Sequence, residues 1–121
     1  MAEFVKFEVP EKLALETLSF VEKVKKKGKV KIGVNEVTKA VERGTAKLVL
    51  IAKDVDPVEL VMHLPLICGE KNVPFSYINT KKELGEKVGI SVGTASIAVT
   101  DEGEAKSELD EIAKKLAELK K

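Results

Sequence analysis

Three residues of this chain combine types and spacing that could read a chemical edge: Asn35, Glu36 and Lys39. Glu36 and Lys39 are three apart, so on a helix they project from one face. A carboxylate offers two acceptor oxygens, an ammonium three donors, and an amide one acceptor and two donors. That set suits a ligand edge with donors and acceptors side by side, such as a nucleobase. The plainer reading is that Asn35 caps a helix and that Glu36 and Lys39 form an exposed ion pair of small worth. Glu36 is an acid in a basic stretch: residues 23–53 hold ten Lys or Arg against Glu36 and Glu42, a local charge of +8. An acid there would repel phosphate, which argues for contact with bases.

Catalytic parts are scarce. His63 is the only histidine and Cys68 the only cysteine, so a Cys/His metal cluster cannot form. They are five apart, while helical neighbours lie three or four apart, and both are expected in or near the core. Asp54 and Asp56 follow an apolar run, a common place for acids in α/β enzymes. Asp56 before Pro57 reads as a helix N-cap, and Asp54 as a residue that orders the turn. No phosphate-binding glycine loop follows any predicted strand. No metal, cofactor or enzymatic activity is expected.

Elements to position these residues follow from periodicity. Pro10 suits a first helical turn, and Ala14, Thr17, Leu18, Val21 and Val24 recur at helical spacing up to a stop at Gly28. Lys29 to Ile32 alternates as a half-buried strand. Asn35 is the predicted cap of a short helix with Val37, Ala40 and Val41 inward, closed by Gly44. Leu48 to Ala52 is continuously apolar, as in a central strand covered on both sides. Asp56 and Pro57 predict a helix running to about Lys71, apolar almost all round, deeply buried and kinked at Pro65. Phe75 to Ile78 is a further strand, Thr80 caps a helix through Val88, and Ile97 to Val99 is the last strand. Ala105, Leu109, Ile112, Ala113, Leu116 and Leu119 mark a closing amphipathic helix. The alternation predicts a three-layer α/β/α sandwich around a small mixed sheet, one domain over residues 1–121.

Composition bounds the setting. The chain has 121 residues, 44% hydrophobic but only 4% aromatic, so the core must be aliphatic. No run approaches the roughly 18 apolar residues of a membrane span, and Met1-Ala2-Glu3-Phe4 lacks a signal-peptide pattern. A single cysteine fits a reducing compartment, so a cytoplasmic protein without membrane attachment is expected. Net charge is +1, so the basic stretch 23–53 points to a localised polyanion contact. The final 21 residues hold seven acids against five bases. Lys/Glu enrichment without Gln is a pattern of growth at high temperature, although lysine-rich mesophile chains share it.

Several stretches together resemble the L-seven-Ae family of archaeal large-subunit ribosomal proteins, which bind RNA kink-turns. They are Gly33-Val34-Asn35-Glu36-Val37-Thr38-Lys39-Ala40-Val41-Glu42-Arg43-Gly44, Leu48 to Ala52 with Asp54-Val55-Asp56-Pro57, His63-Leu64-Pro65-Leu66-Ile67-Cys68, and Lys82-Glu83-Leu84-Gly85. The resemblance runs from Phe4 to the final helix and implies a four-stranded mixed sheet. It implies recognition of an RNA duplex bent at a bulge beside tandem sheared G·A pairs. RNA is commonly read at such irregular elements because the A-form major groove is too narrow for side chains.

On that reading Glu36 would accept from guanine N1–H and N2–H, Asn35 would donate and accept, and Lys39 would donate to guanine O6 or N7. The loop Gly89 to Ala95 would set Ile90 and Val92, with Ser91 between them, against the splayed bulge nucleotides. Gly33 would shape the approach, while Lys29, Lys31 and Arg43 would contact the RNA backbone. Ser91 and Gly93 depart from the acid and proline often found there, and Lys53 from an acid, changes that bear on the preferred bulge sequence more than on binding itself. Implied partners are ribosomal RNA, box C/D and H/ACA guide RNAs, other ribosomal or guide-particle proteins, and ribonuclease P in tRNA processing. The chain is expected to be a monomer when free. Two other readings stay open: a protein-interaction module of this fold without RNA binding, and a small enzyme built on Asp54 and Asp56.

Overall fold

The computed structural model describes residues 9–55, 60–90 and 92–119. In chain order the elements are α1 (Glu11–Lys27), β1 (Lys29–Ile32), α2 (Val34–Glu42), β2 (Leu48–Ala52), α3 (His63–Lys71), β3 (Phe75–Ile78), α4 (Lys81–Lys87), β4 (Ser96–Asp101) and α5 (Lys106–Leu119). The strands form one mixed sheet in the order β1-β4-β2-β3. β4 is antiparallel to β1 and β2, and β2 is parallel to β3. Helices α2 and α3 pack together on one side, while α1 packs with α4 and α5 on the other. This is the α/β/α sandwich that the alternation of periods predicts.

Every residue of β2 is buried, as an interior strand with helices on both faces requires. The core is aliphatic, with Phe20 and Tyr77 its largest fully buried side chains. α1 turns Leu13, Thr17, Leu18, Phe20, Val21 and Val24 inward, a wider stripe than the expected one. β1 lies at an edge and shows Lys29 and Lys31 outward against half-buried Val30 and Ile32. Charged residues on an edge strand discourage pairing with another chain.

Two expectations are corrected within α3. The described helix begins at His63, which leaves Pro65 in the first turn; there its missing N–H costs nothing and no kink is needed. Nor is this helix buried all round: Leu64, Pro65 and Cys68 face inward, whereas Leu66 is 61% exposed. The expected cap at Asp56 and Pro57 lies outside the described residues. Gly28 ends α1 with φ −111, not left-handed. Its reason is proximity, since a Cβ there would meet the Asp101 carbonyl oxygen at 2.0 Å.

The register gathers the ends of the strands. Ile32 pairs with Ile97, and Ile51 with Ser96, so β1 and β2 finish where β4 begins. β3 runs parallel to β2 and finishes there too. The start of α2 and the loop ahead of β4 therefore share one end of the sheet.

Candidate nucleic-acid interface

Chain reversal from β1 into α2 takes place at Gly33 (φ 97, ψ 152), a conformation open essentially to glycine alone. Its amide donates to Ser96 O at 3.0 Å and its carbonyl accepts from Val37 N at 2.9 Å. Gly33 thus ties α2 to the start of β4 and is the helix N-cap. This corrects the expectation that Asn35 caps α2: no side chain caps this helix, and Asn35 stands in its first turn with its amide exposed. The reversal is complete at Gly33, so helical φ and ψ begin one residue before Asn35.

Glu36 and Lys39 lie on the same exposed face, with Lys39 Nζ 3.9 Å from Glu36 Oε1 and side-chain exposures of 58% and 53%. A pair this long and this exposed binds its partners weakly, so both groups are available to a ligand. Val37, Ala40 and Val41 on the opposite face are buried and hold the helix to the sheet. The first turn also carries the positive end of the helix dipole, which favours the carboxylate of Glu36.

Beside this turn is an open groove of about 670 Å³ lined by Val34, Asn35, Thr38, Lys39, Leu60 and His63. Thr38 Oγ1 donates to Val34 O at 2.8 Å and lies 2.8 Å from His63 Nε2. A hydroxyl has one proton, so Thr38 gives it either to Val34 O or to His63 Nε2, and the direction of the Thr38–His63 bond follows the histidine tautomer. His63, expected in or near the core, is half-buried and links α3 to the exposed end of α2. Leu60 and Thr38 were not singled out by the sequence, because a groove between α2 and α3 leaves no local pattern.

The loop ahead of β4 sits at the same end. Ile90 is half-buried and leans on the core, whereas Val92 is 69% exposed. Ser91, the third expected residue of this loop, lies outside the described residues. The loop is seated on α4: Thr94 N donates to Lys81 O at 3.2 Å, and Ile90 N to Gly85 O at 3.1 Å. A Cβ at Gly85 would come within 2.3 Å of Val92 O, so glycine allows the loop to lie directly on the helix. Asp54 Oδ1 accepts from Lys81 N at 2.8 Å, which fixes the turn after β2 to the start of α4. That contact gives Asp54 the ordering role expected of it, while Asp56, the other acid of the enzyme reading, lies outside the described residues.

The expected backbone contacts fall in two places. Lys31 is two residues from Gly33, close to the first turn of α2. Lys29 begins β1, about 10 Å from its other end, and Arg43 follows the last turn of α2, about 13 Å along the axis from Val34. Lys29, Lys31 and Arg43 are exposed and make no ion pair among the described residues. Lys31 thus stands beside the first turn, while Lys29 and Arg43 stand at the far ends of β1 and α2.

Among the described residues no cluster of three or more His, Cys, Asp or Glu could hold a metal ion. No helix among them is long and apolar enough to cross a membrane. The sequence pattern of the ribosomal protein L7Ae/L30e/S12e/Gadd45 family matches residues 16–109. Among solved structures the chain is similar to the 15.5kD RNA binding protein of Giardia lamblia. The two share 36% sequence identity and superpose with a TM-score of 0.91 over 98% of this chain and 99% of the other.

Proposed function

Because this chain belongs to the ribosomal protein L7Ae/L30e/S12e/Gadd45 family, we propose that it binds RNA and recognises kink-turns through the first turn of α2 and the loop ahead of β4. The observation that carries this reading is the division of labour at that turn. Gly33 does the capping, which leaves the Asn35 amide, the Glu36 carboxylate and the Lys39 ammonium side by side and exposed. A carboxylate accepts from guanine N1–H and N2–H together, a match adenine cannot offer, and a bidentate base contact discriminates by about 1–3 kcal/mol. Sheared G·A pairs leave such guanine edges uncovered. Val92, exposed on the neighbouring loop, and Ile90 supply apolar contact for unstacked bulge nucleotides. Lys31, Lys29 and Arg43 follow the phosphates outward and set the register of the RNA without reading it.

Family members are non-enzymatic proteins, so no reaction is assigned. The RNAs proposed are ribosomal RNA, the box C/D and H/ACA guide RNAs and the RNA of ribonuclease P, all through the same site; residues 1–121 would act as one binding unit. Its partners would be other proteins of those particles, docking once the RNA bend is fixed. A protein-interaction module that has lost RNA binding is the second reading. The joint presence of Asn35, Glu36 and Lys39 on an unobstructed face argues against it.

The test is a titration at fixed salt with a kink-turn RNA and with the same RNA carrying Watson–Crick pairs in place of its tandem G·A pairs. Tight binding to the first and weak binding to the second supports the proposal. Equal, weak and salt-sensitive binding to both refutes it and favours the interaction module.

A further inference from the structure

Four of the five residues 23–27 are lysines, yet this cluster is not left bare. Lys23 Nζ lies 2.8 Å from Glu108 Oε1 and Lys27 Nζ 3.2 Å from Glu104 Oε2. With Lys26 and Glu102 they line a shallow cavity of about 330 Å³. The acids come from the far end of the chain, 77 and 85 residues away in sequence. They are held in place by the backbone: Gly103 (φ 61) sets its turn so close to α1 that a Cβ there would meet the Lys27 carbonyl at 3.0 Å. Glu108 also lies in the first turn of α5, where the helix dipole favours an acid.

We propose that Glu104 and Glu108 are specificity-determining residues, which offset two of the four lysines at the end of α1, Lys23 and Lys27, and so weaken its pull on RNA relative to the edge around Gly33, Asn35 and Glu36. This rests on the RNA-binding function proposed above. The cluster stands at the opposite end of β1 from Gly33, about 10 Å along the strand. That exceeds the screening length of about 8 Å at physiological salt, so it would act as a separate polyanion site. Such a site grips any phosphate backbone and reads no base.

The two ion pairs do little else. Lys27 and Glu104 are 64% and 78% exposed, and pairs of this kind add almost nothing to stability. Lys47 and Glu102 are the contrast: they are 2.7 Å apart with Glu102 only 13% exposed, and that pair serves the fold. Meanwhile Lys31, two residues from Gly33 and beside the first turn of α2, has no acidic partner among the described residues. Positive charge at the end of α1 is thus halved, Lys25 and Lys26 having no ion pair among the described residues, whereas Lys31 beside the reading edge keeps its charge whole.

The experiment compares the full-length protein with its Glu104→Gln/Glu108→Gln variant on a kink-turn RNA and on the same RNA with Watson–Crick pairs, across 50–200 mM salt. Two freed phosphate contacts steepen the log–log salt slope on duplex by about 1.8, so the affinity lost over that range grows by about tenfold. The expected result is this steeper slope and tighter binding to the Watson–Crick RNA at low salt. Affinity for the kink-turn rises less, so selectivity falls. Adding Lys23→Gln/Lys27→Gln should return the Watson–Crick RNA to its original slope. Unchanged binding to that RNA overturns the inference. So does an equal gain from Glu70→Gln/Glu118→Gln, which changes net charge by the same amount on exposed residues elsewhere. Selectivity of the unmodified protein reports separately on the proposed function.

Discussion

Replacing Gly33 by alanine isolates the backbone's contribution to the proposed site. A Cβ at this position would meet nothing within 4 Å, so no clash enters the cost. What remains is conformation: φ 97 with ψ 152 costs a residue with a side chain about 1–3 kcal/mol. Relaxing the angle offers no escape, because the Gly33 amide is bound to Ser96 and its carbonyl to Val37. For a chain of this length an unfolding entropy of about 2.1 cal/mol/K per residue converts that cost to a fall in Tm of about 4–12 °C. Asparagine should not rescue it, since the left-handed region it tolerates has ψ near 47°. Gly69→Ala is the internal control: Gly69 is within α3, also with open space around it, and should gain up to about 1 kcal/mol. Thermal melts of the three variants decide the matter. A Tm for Gly33→Ala within 2 °C of the original, on the order of 0.5 kcal/mol, or recovery with asparagine, would refute the conformational argument.

Asp54→Ala should cost about 1 kcal/mol of stability through the lost contact with Lys81 N, and denaturant melts should show it without any loss of a catalytic function. The Lys47 ammonium holds the Glu102 carboxyl below the usual glutamate range. Its folded pKa is the lower one, so the stability it gives is present above the ordinary value of about 4.3 and lost as pH falls through the folded pKa. Glu102→Gln should therefore flatten the acid side of a stability–pH curve, and an unchanged acid limb would exclude this linkage. Lys31→Ala should weaken binding to kink-turn and plain duplex RNA alike and lower the salt slope by about 0.9, read from titrations at several salt concentrations.

How much was legible depended on how local each cause is. The face of α2 came from the spacing of Val37, Ala40 and Val41, and the interior place of β2 from five apolar residues in a row. Thr80 was readable as a cap because its partner, Glu83 N, is three residues on. Asn35 misled because its type favours capping, and only the sharp reversal at Gly33 takes that duty away. Pro65 was expected to kink a helix from Asp56 to Lys71, but where the described helix begins decides whether a proline breaks it or fits its first turn. Leu66 is apolar yet exposed, which no periodicity in so hydrophobic a segment could reveal. Contacts between distant residues were out of reach: His63 on Thr38, Asp54 on Lys81, and the glutamates of 102–108 on the lysines of α1 and Lys47. The proposed site was thus half legible: the residues proposed to read RNA came from motif and resemblance, the charge balance around them only from the fold.

The central claim is that the Glu36 carboxylate reads a guanine edge, and a double-mutant cycle tests it most directly. Glu36→Gln is combined with replacement of the sheared-pair guanines by inosine, which lacks the N2 amino group, and the four dissociation constants are measured at one salt concentration. Direct contact predicts that each change alone weakens binding and that the two together cost less than their sum, with a coupling of about 0.5–3 kcal/mol. Additive losses would mean that Glu36 does not touch that edge and that the exposed first turn of α2 serves another purpose.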